Sequence, residues 1–235
     1  EQIKQAQDLS EKKVYIWSFG EVGLAEDVLA LVQYFQEEEN PYLLNLLTAA
    51  MGKVSQKDGS ITPLLLLAEN SRQLYVKSTA VLGLGKAGDV RATPILWDLA
   101  FNNPAKEIRF CAILSLSTVL KAKDDFLEEL IALKNRFNQV ESQYEKLALA
   151  FTIQRLAGFD EGYYQYMASF LKTPYFSEVS LDLLENLPFT QGKERLEIVV
   201  VNYPKSQFKK RIQNLILKLK AEGPYDSFKR SCKNS

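Results

Sequence analysis

The chain has 235 residues, 46% of them hydrophobic, with 29 basic and 29 acidic side chains, two cysteines and no histidine. That is enough apolar matter to bury a sizeable core in one large domain or two small ones. The formal net charge of zero argues against a strongly basic nucleic-acid binder, while leaving room for a local patch.

Imidazole is the side chain that titrates near neutrality and most often ligates metals. Its absence from these residues excludes Ser-His-Asp and Cys-His catalysis and His-ligated zinc or iron sites. Acid–base chemistry would have to rest on carboxylates, Lys, Tyr or Cys. Cys111 and Cys232 form neither a disulfide framework nor a zinc site. Cys111 lies in an apolar helical pattern with Ile108, Ala112, Ile113 and Leu116, and reads as a small buried hydrophobe. No run of 18 apolar residues occurs, so no membrane-spanning helix is expected. The chain starts at Glu1 with no methionine and no signal-like segment. This reads as a trimmed start or, slightly preferred, as an exported or periplasmic protein whose leader was cleaved.

Along the chain, apolar residues recur at spacings of three and four, predicting helices throughout, arranged as pairs joined by short turns. In the first pair Val14, Ile16, Trp17 and Phe19 lead to Gly20 and Gly23, and Val28, Leu29, Leu31, Val32 and Phe35 carry the second helix. Trp17 and Trp97 are expected to pack. Glu37 to Pro41 form a break. The second pair runs from Tyr42 to Gly52 and, after a turn at Ser55–Gly59, opens again at Thr62-Pro63. The third runs from Val76 to Gly85 and Gly88-Asp89, then opens at Thr93-Pro94. In both dipeptides Thr can cap free N–H groups, and Pro in the first turn loses no hydrogen bond.

The fourth pair begins at Ile108 and continues from about Asp124 to Phe137. The fifth covers about Tyr144–Leu156 and Tyr163–Leu171. The sixth is looser, at Val179–Leu187 and Glu194–Val201, with Pro174, Pro188 and Pro204 as punctuation. A last helix covers about Ser206–Ala221, before a polar basic tail over 223–235.

The phrases Phe19-Gly20-Glu21-Val22-Gly23, Met51-Gly52-Lys53-Val54-Ser55 and Leu84-Gly85-Lys86-Ala87-Gly88 place Gly20, Gly52 and Gly85 at a fixed period. Leu116-Ser117-Thr118-Val119 is a weaker echo. Self-similarity at this spacing marks stacked supersecondary units. Glycine there can take a left-handed turn conformation or let one helix pair lie close to the next.

The segment Val76-Lys77-Ser78-Thr79-Ala80-Val81-Leu82-Gly83-Leu84-Gly85-Lys86-Ala87-Gly88-Asp89, followed by Thr93-Pro94-Ile95-Leu96, resembles a HEAT-like repeat of the bacterial kind found in bilin lyases. Ile108-Arg109-x-x-Ala112 looks like the start of the next copy. The resemblance is clearest over about residues 12–120, and beyond about 140 only the helix-pair rhythm survives. It implies an all-α fold, a right-handed α-α superhelix. This armadillo-like α-solenoid would have about six helix pairs and a capping helix at 206–221, forming a single domain over 1–222. Regular repeats would cover 12–138 and irregular ones 140–203. It also implies a scaffold for protein–protein interaction with no catalytic residues and no cofactor, since the repeat consensus is structural.

Enzymes of similar fold fit unevenly. Deoxyhypusine-hydroxylase-like proteins need His-Glu metal motifs, and HEAT-like DNA glycosylases need a basic groove. A bilin lyase-type subunit stays open as an alternative.

Residues 205–235 carry a net charge of +7 and the rest of the chain −7. Such asymmetry can mark a contact for acidic partners or an anionic surface. Phe208, Ile212, Leu215, Ile216 and Leu219 form an apolar stripe beside Lys209, Lys210 and Arg211. This reads first as a solenoid cap and otherwise as a partner or membrane-surface contact. Tyr163, Tyr164, Tyr166, Tyr175 and Phe176, with Phe159 and Phe170, form an aromatic cluster. Such clusters suit an interaction patch and equally an irregular core, and at offsets of one and three the tyrosines cannot all face inward. Glu37-Glu38-Glu39 and Asp124-Asp125 with Glu128-Glu129 read as solvated or helix-start charges, not as a metal site. Gly83-Leu84-Gly85 ends a helix and is no dinucleotide fingerprint.

Overall fold

A computed structural model describes residues 6, 8–24, 27–28, 40–173, 175–187, 189–202 and 208–221. Among them there is no strand. Twelve helices follow in order: α1 Leu9–Val22, α2 Pro41–Asp58, α3 Thr62–Asn70, α4 Leu74–Ala87, α5 Thr93–Asn102, α6 Lys106–Val119, α7 Leu127–Gln139, α8 Gln143–Ala157, α9 Glu161–Ser169, α10 Ser177–Glu185, α11 Lys193–Asn202 and α12 Lys209–Ala221. Short 3-10 turns stand at Val90–Ala92, Leu120–Ala122, Phe170–Lys172 and Thr190–Gly192. No described helix is long and apolar enough to cross a membrane. The chain divides into two compact units, Glu1–Glu129 and Leu130–Ser235.

In the first unit α1 packs on α2, α2 on α4 and α4 on α6, while α3 packs on α4 and α5 on α6. The chemistry of this stack is legible in four tripeptides: Ser18-Phe19-Gly20, Ala50-Met51-Gly52, Gly83-Leu84-Gly85 and Ser115-Leu116-Ser117. Residues two apart on a helix point about 200° apart, so each tripeptide offers a small residue on two opposite sides of its helix. A methyl on Gly20 would lie 3.2 Å from Ala50 Cα, one on Gly52 would lie 3.1 Å from the Gly83 carbonyl oxygen, and one on Gly85 would lie 2.9 Å from Ser115 Cα. The backbones therefore meet almost directly. The middle residues Met51, Leu84 and Leu116 are wholly buried, and each contributes about 1.5–3 kcal/mol of apolar burial. Ser115 keeps the third seam, between α4 and α6, polar-satisfied by donating its hydroxyl to the Val81 carbonyl oxygen at 2.9 Å.

This corrects one sequence expectation. Gly20, Gly52 and Gly85 lie inside helices and take no left-handed conformation; that role falls to Gly59, Gly88 and Gly158, at φ 63°, 68° and 90°. Two further corrections concern helix starts and ends. Ser55 is buried within α2, which runs on to Asp58. Thr62 and Thr93 are the first residues of α3 and α5, and their side chains cap nothing. The capping before α5 is done one turn earlier, by Asp89, whose Oδ1 accepts from the Arg91 backbone N–H at 2.8 Å.

Exposed polar links repeat the period. Lys53 and Lys57 both pair with Glu21, and Arg91 Nη2 donates to the Gly59 carbonyl oxygen at 2.6 Å across 32 residues. Trp17, expected to pack, is 64% exposed, whereas Trp97 meets the Phe101 ring edge-on at 5.0 Å. Asp125 precedes α7 and accepts from the Leu127 N–H at 3.0 Å, as a helix-start charge does.

In the second unit α8 packs on α9 and α10, α9 on α10 and α11, and α11 on α12. Ala148, Leu149 and Ala150 are fully buried in α8, as are Ser180 and Leu181 in α10. Ser18, Ala50, Gly83 and Ser115, which open the four tripeptides, are followed at the same spacing of 32 or 33 residues by Ala148, which opens Ala148-Leu149-Ala150, and by Ser180. The register thus continues past Ser117, where the glycines stop. The helix expected over Leu29 to Phe35, the Glu37–Glu39 run, Lys205, Ser206, Cys232, the three prolines 174, 188 and 204 and the tail over 223–235 lie outside the described residues.

Gly85→Ala is expected to cost about 1–3 kcal/mol, the range for overpacking a close contact, and Ser115→Gly in the same chain should recover part of it. Gly59→Ala, with open space around it, should carry only the left-handed backbone cost of about 1–2 kcal/mol and gain nothing from Ser115→Gly. Urea-unfolding midpoints of these four chains would check this; no rescue of Gly85→Ala would contradict the seam.

Candidate functional site

The aromatic cluster of the second unit is built at the ends of short helices. Ser142 caps α8 by accepting from the Glu145 N–H at 3.4 Å. Asp160 caps α9 through Oδ1, which accepts from the Gly162 and Tyr163 N–H groups at 2.9 and 3.2 Å. Gln154, fully buried, ties the two together by accepting from the Asp160 N–H at 3.1 Å. With α9 so fixed, Tyr163 and Tyr166 share one face and Tyr164 turns to another, as a spacing of three against one requires.

Tyr163 and Tyr166 both stand edge-on to Phe137 of α7, with centroids 4.8 and 5.4 Å apart and rings near perpendicular. The row continues from Tyr166 to Phe170 at 5.1 Å, Phe170 to Phe176 at 5.3 Å and Phe176 to Tyr144 at 6.2 Å. Edge-to-face pairs at these distances are favourable beyond their burial. Lys146 of α8 places its ammonium 4.8 Å from the Phe137 centroid and 5.8 Å from that of Tyr166, a cation held over two rings. Burial raises both phenol pKa values, and Asp160 adds to the effect at Tyr163. At neutral pH both hydroxyls are therefore donors at the edge of a half-buried aromatic strip. Tyr175 stands 90% exposed in the turn before α10.

Tyr164 does not belong to this surface, which corrects its place among the candidate contact residues. Its side chain is wholly buried against Phe159, at 5.6 Å between ring centroids, and the phenol ring lies directly on Gly192, where a methyl would overlap it. Its hydroxyl has no hydrogen-bond partner, and burial drives its pKa well above the ordinary tyrosine range.

The basic helix resolves in a similar way. Ile212, Leu215, Ile216 and Leu219 of α12 are buried, so the apolar stripe packs inward. Arg211 is committed to the fold: Nη2 donates to Asp182 Oδ1 at 2.6 Å and to Glu185 Oε2 at 2.8 Å, bonds that raise its pKa further. Lys210 is exposed and Lys209 half-buried. The three basic residues therefore do not act as one patch.

Two features escaped the sequence reading. Phe137 and Lys146 complete the aromatic strip, yet each looks in sequence like an ordinary helical residue; only their proximity to Tyr166 marks them. In the first unit a groove of about 540 Å³ runs between α3 and α5, lined by Leu65, Glu69, Lys77, Arg91, Ile95 and Asp98 among others. Its charges are mixed, and three separate segments supply them, so no local motif announces it. Among the described residues no cluster of three or more Cys, Asp or Glu could hold a metal ion.

Cys111 is half-buried, and burial followed by the nearby Glu107 carboxylate pushes its thiol up to about 12. The thiolate is the reactive form, so alkylation of Cys111 by iodoacetamide at pH 8 should be slow in the folded chain and fast in urea. Peptide mass mapping over time would check this, and rapid native labelling would refute it. Tyr164→Phe removes only an unpartnered buried hydroxyl and should be neutral or stabilising by up to about 1 kcal/mol, whereas Gly192→Ala should lower the melting temperature measurably. No protein-family model matches the chain, and no curated protein matches it at a significant level.

Proposed function

We propose that the chain is a non-enzymatic adaptor of the HEAT-like kind, a single α-solenoid over residues 1–222 that presents its surface to a protein partner. The observation that carries this reading is the register of five small–apolar–small motifs, from Ser18-Phe19-Gly20 to Ala148-Leu149-Ala150, which Ser180-Leu181 extends by one more period. In the first unit it coincides with direct helix-on-helix contact, the arrangement by which repeat proteins stack units that each touch only their neighbours. Stacking of this type generates extended surfaces, and such surfaces serve recognition more readily than catalysis. The right-handed superhelix, the capping role of α12 and the bacterial origin belong to the same proposal.

Within it, the contact surface is the aromatic strip of the second unit. Tyr163, Tyr166 and the exposed Tyr175 combine large apolar faces with polar edges and few rotatable bonds, the qualities that concentrate binding energy at interfaces. Lys210 and Lys218 on the open side of α12 would supply a secondary, salt-sensitive contribution.

Affinity capture with the intact chain and with a Y163A/Y166A/Y175A variant, read by quantitative mass spectrometry, tests the reading. Captured partners should fall by about tenfold or more with the variant, as expected when interface anchors are lost, while its circular dichroism stays unchanged. Equal capture by both chains would remove the aromatic strip from the proposal. Failure of the intact chain to enrich any protein would remove the adaptor itself.

A further inference from the structure

We infer that α1 carries a self-complementary face that pairs with the same face of a second copy of this chain. The argument begins with the side of each stacked helix that receives its predecessor. In α2 this side presents Leu46, Ala50 and Val54; in α4, Thr79, Gly83 and Ala87; in α6, Cys111, Ser115 and Val119. Each set is spaced by four residues and so forms one stripe along its helix. The last two members are buried in all three helices. In the same register α1 presents Val14, Ser18 and Val22.

That stripe has the composition of a stacking face, but it is open. Val14 is 59% and Val22 79% exposed, and Trp17 beside them is 64% exposed. The opposite side of α1, with Ile16 and Gly20 buried, is already occupied by α2. The open stripe therefore continues an interface that the first unit uses three times. Adjoining apolar residues left in water, a tryptophan among them, mark an interaction site when they form one patch.

The stripe also indicates its occupant. Val14 and Val22 flank Ser18 at equal distances, so it reads the same in both directions. An antiparallel pair of α1 helices about a two-fold axis at Ser18 sets Val14 against Val22 of the other copy. The small hydroxymethyl groups at the centre permit the close approach seen at the other seams. Two-fold pairing of identical patches is the commonest form of oligomer. A head-to-tail alternative would require an open apolar face of the Ile16/Gly20 type, yet its counterparts are buried in α6, as Ile113 and Ser117, and charged in α10, the last helix of the register, as Glu178 and Asp182. Glu21, at the margin of the stripe, is already neutralised by Lys53 and Lys57, which keeps the pairing free of carboxylate repulsion there. The inference rests on helix contacts of the first unit and does not depend on the adaptor reading.

Sedimentation velocity of the full chain over about 1–100 µM should reveal a concentration-dependent dimer. Val14→Glu and Val22→Glu, both at exposed positions, should each weaken it about tenfold or more with unchanged circular dichroism and melting temperature. In a chain with Cys111→Ala and Cys232→Ser, a Ser18→Cys variant should form a disulfide-linked dimer on mild oxidation, and Glu69→Cys at an exposed site elsewhere should not. A monomer at every concentration would overturn the proposal and leave the face to a helix of another protein. A dimer indifferent to both glutamates, or cross-linking equal at the two cysteine positions, would overturn it as well. Partner capture by the Val14→Glu chain separates this outcome from the adaptor proposal, which a monomer would leave standing.

Discussion

The first unit depends on how closely two helices can approach when a small residue faces a small residue. At Gly20, Gly52 and Gly85 even one methyl group would meet the next helix's backbone or Cβ. With the axes this close, Met51, Leu84 and Leu116 reach fully apolar surroundings from the middle of each tripeptide. Glycine in a helix interior costs helix propensity, and here burial of the neighbouring residue offsets that cost. The exposed ion pairs at the same period, such as Lys53 with Glu21, are screened by solvent and play a lesser part.

The second unit keeps the register but replaces glycine with alanine and serine. Its seams carry larger side chains, and polar atoms take a greater part in fixing the helices. Gln154 braces the turn before α9, Ser180 donates its hydroxyl to the Met167 carbonyl oxygen at 2.6 Å, and Arg211 ties α12 to α10. One glycine outside the register, Gly192, makes room for the Tyr164 ring. With Tyr164 drawn inward, Tyr163 and Tyr166 are left on the half-buried side, against Phe137 and under Lys146. Core packing and surface chemistry in this unit are therefore two consequences of one tyrosine-rich turn of helix.

Helix existence was legible from periodicity alone, because three-and-four spacing of apolar residues has few other physical solutions. The ends of helices were less so. Thr62-Pro63 and Thr93-Pro94 mark the right places, but each threonine lies inside the helix and leaves capping to residues such as Asp89. A side chain's capping role depends on backbone angles that sequence spacing does not contain. Trp17 shows the same limit for burial: its helical position resembles a packing site, yet among the described residues no helix packs on that side and the ring is exposed. For the candidate site, the tyrosines themselves stood out as a cluster. The division between inward Tyr164 and outward Tyr163 and Tyr166 needed the orientation of α9, and Phe137 and Lys146 needed the fold to bring them near.

The sequence by itself determined that the chain is helical, that its units recur every 32 or 33 residues, and that no imidazole chemistry operates within these residues. These properties follow from composition and local periodicity, which survive without knowledge of any distant contact. Tertiary structure alone decided what the periodic glycines do. A glycine offers either a left-handed turn or a missing side chain, and only the neighbouring helix, some thirty residues away in sequence, determines which of the two is used. The same holds for the tyrosines and for the basic helix. Burial of Tyr164 beside Gly192, and capture of Arg211 by Asp182 and Glu185, are set by which surfaces come together in space, a quantity that no local pattern encodes.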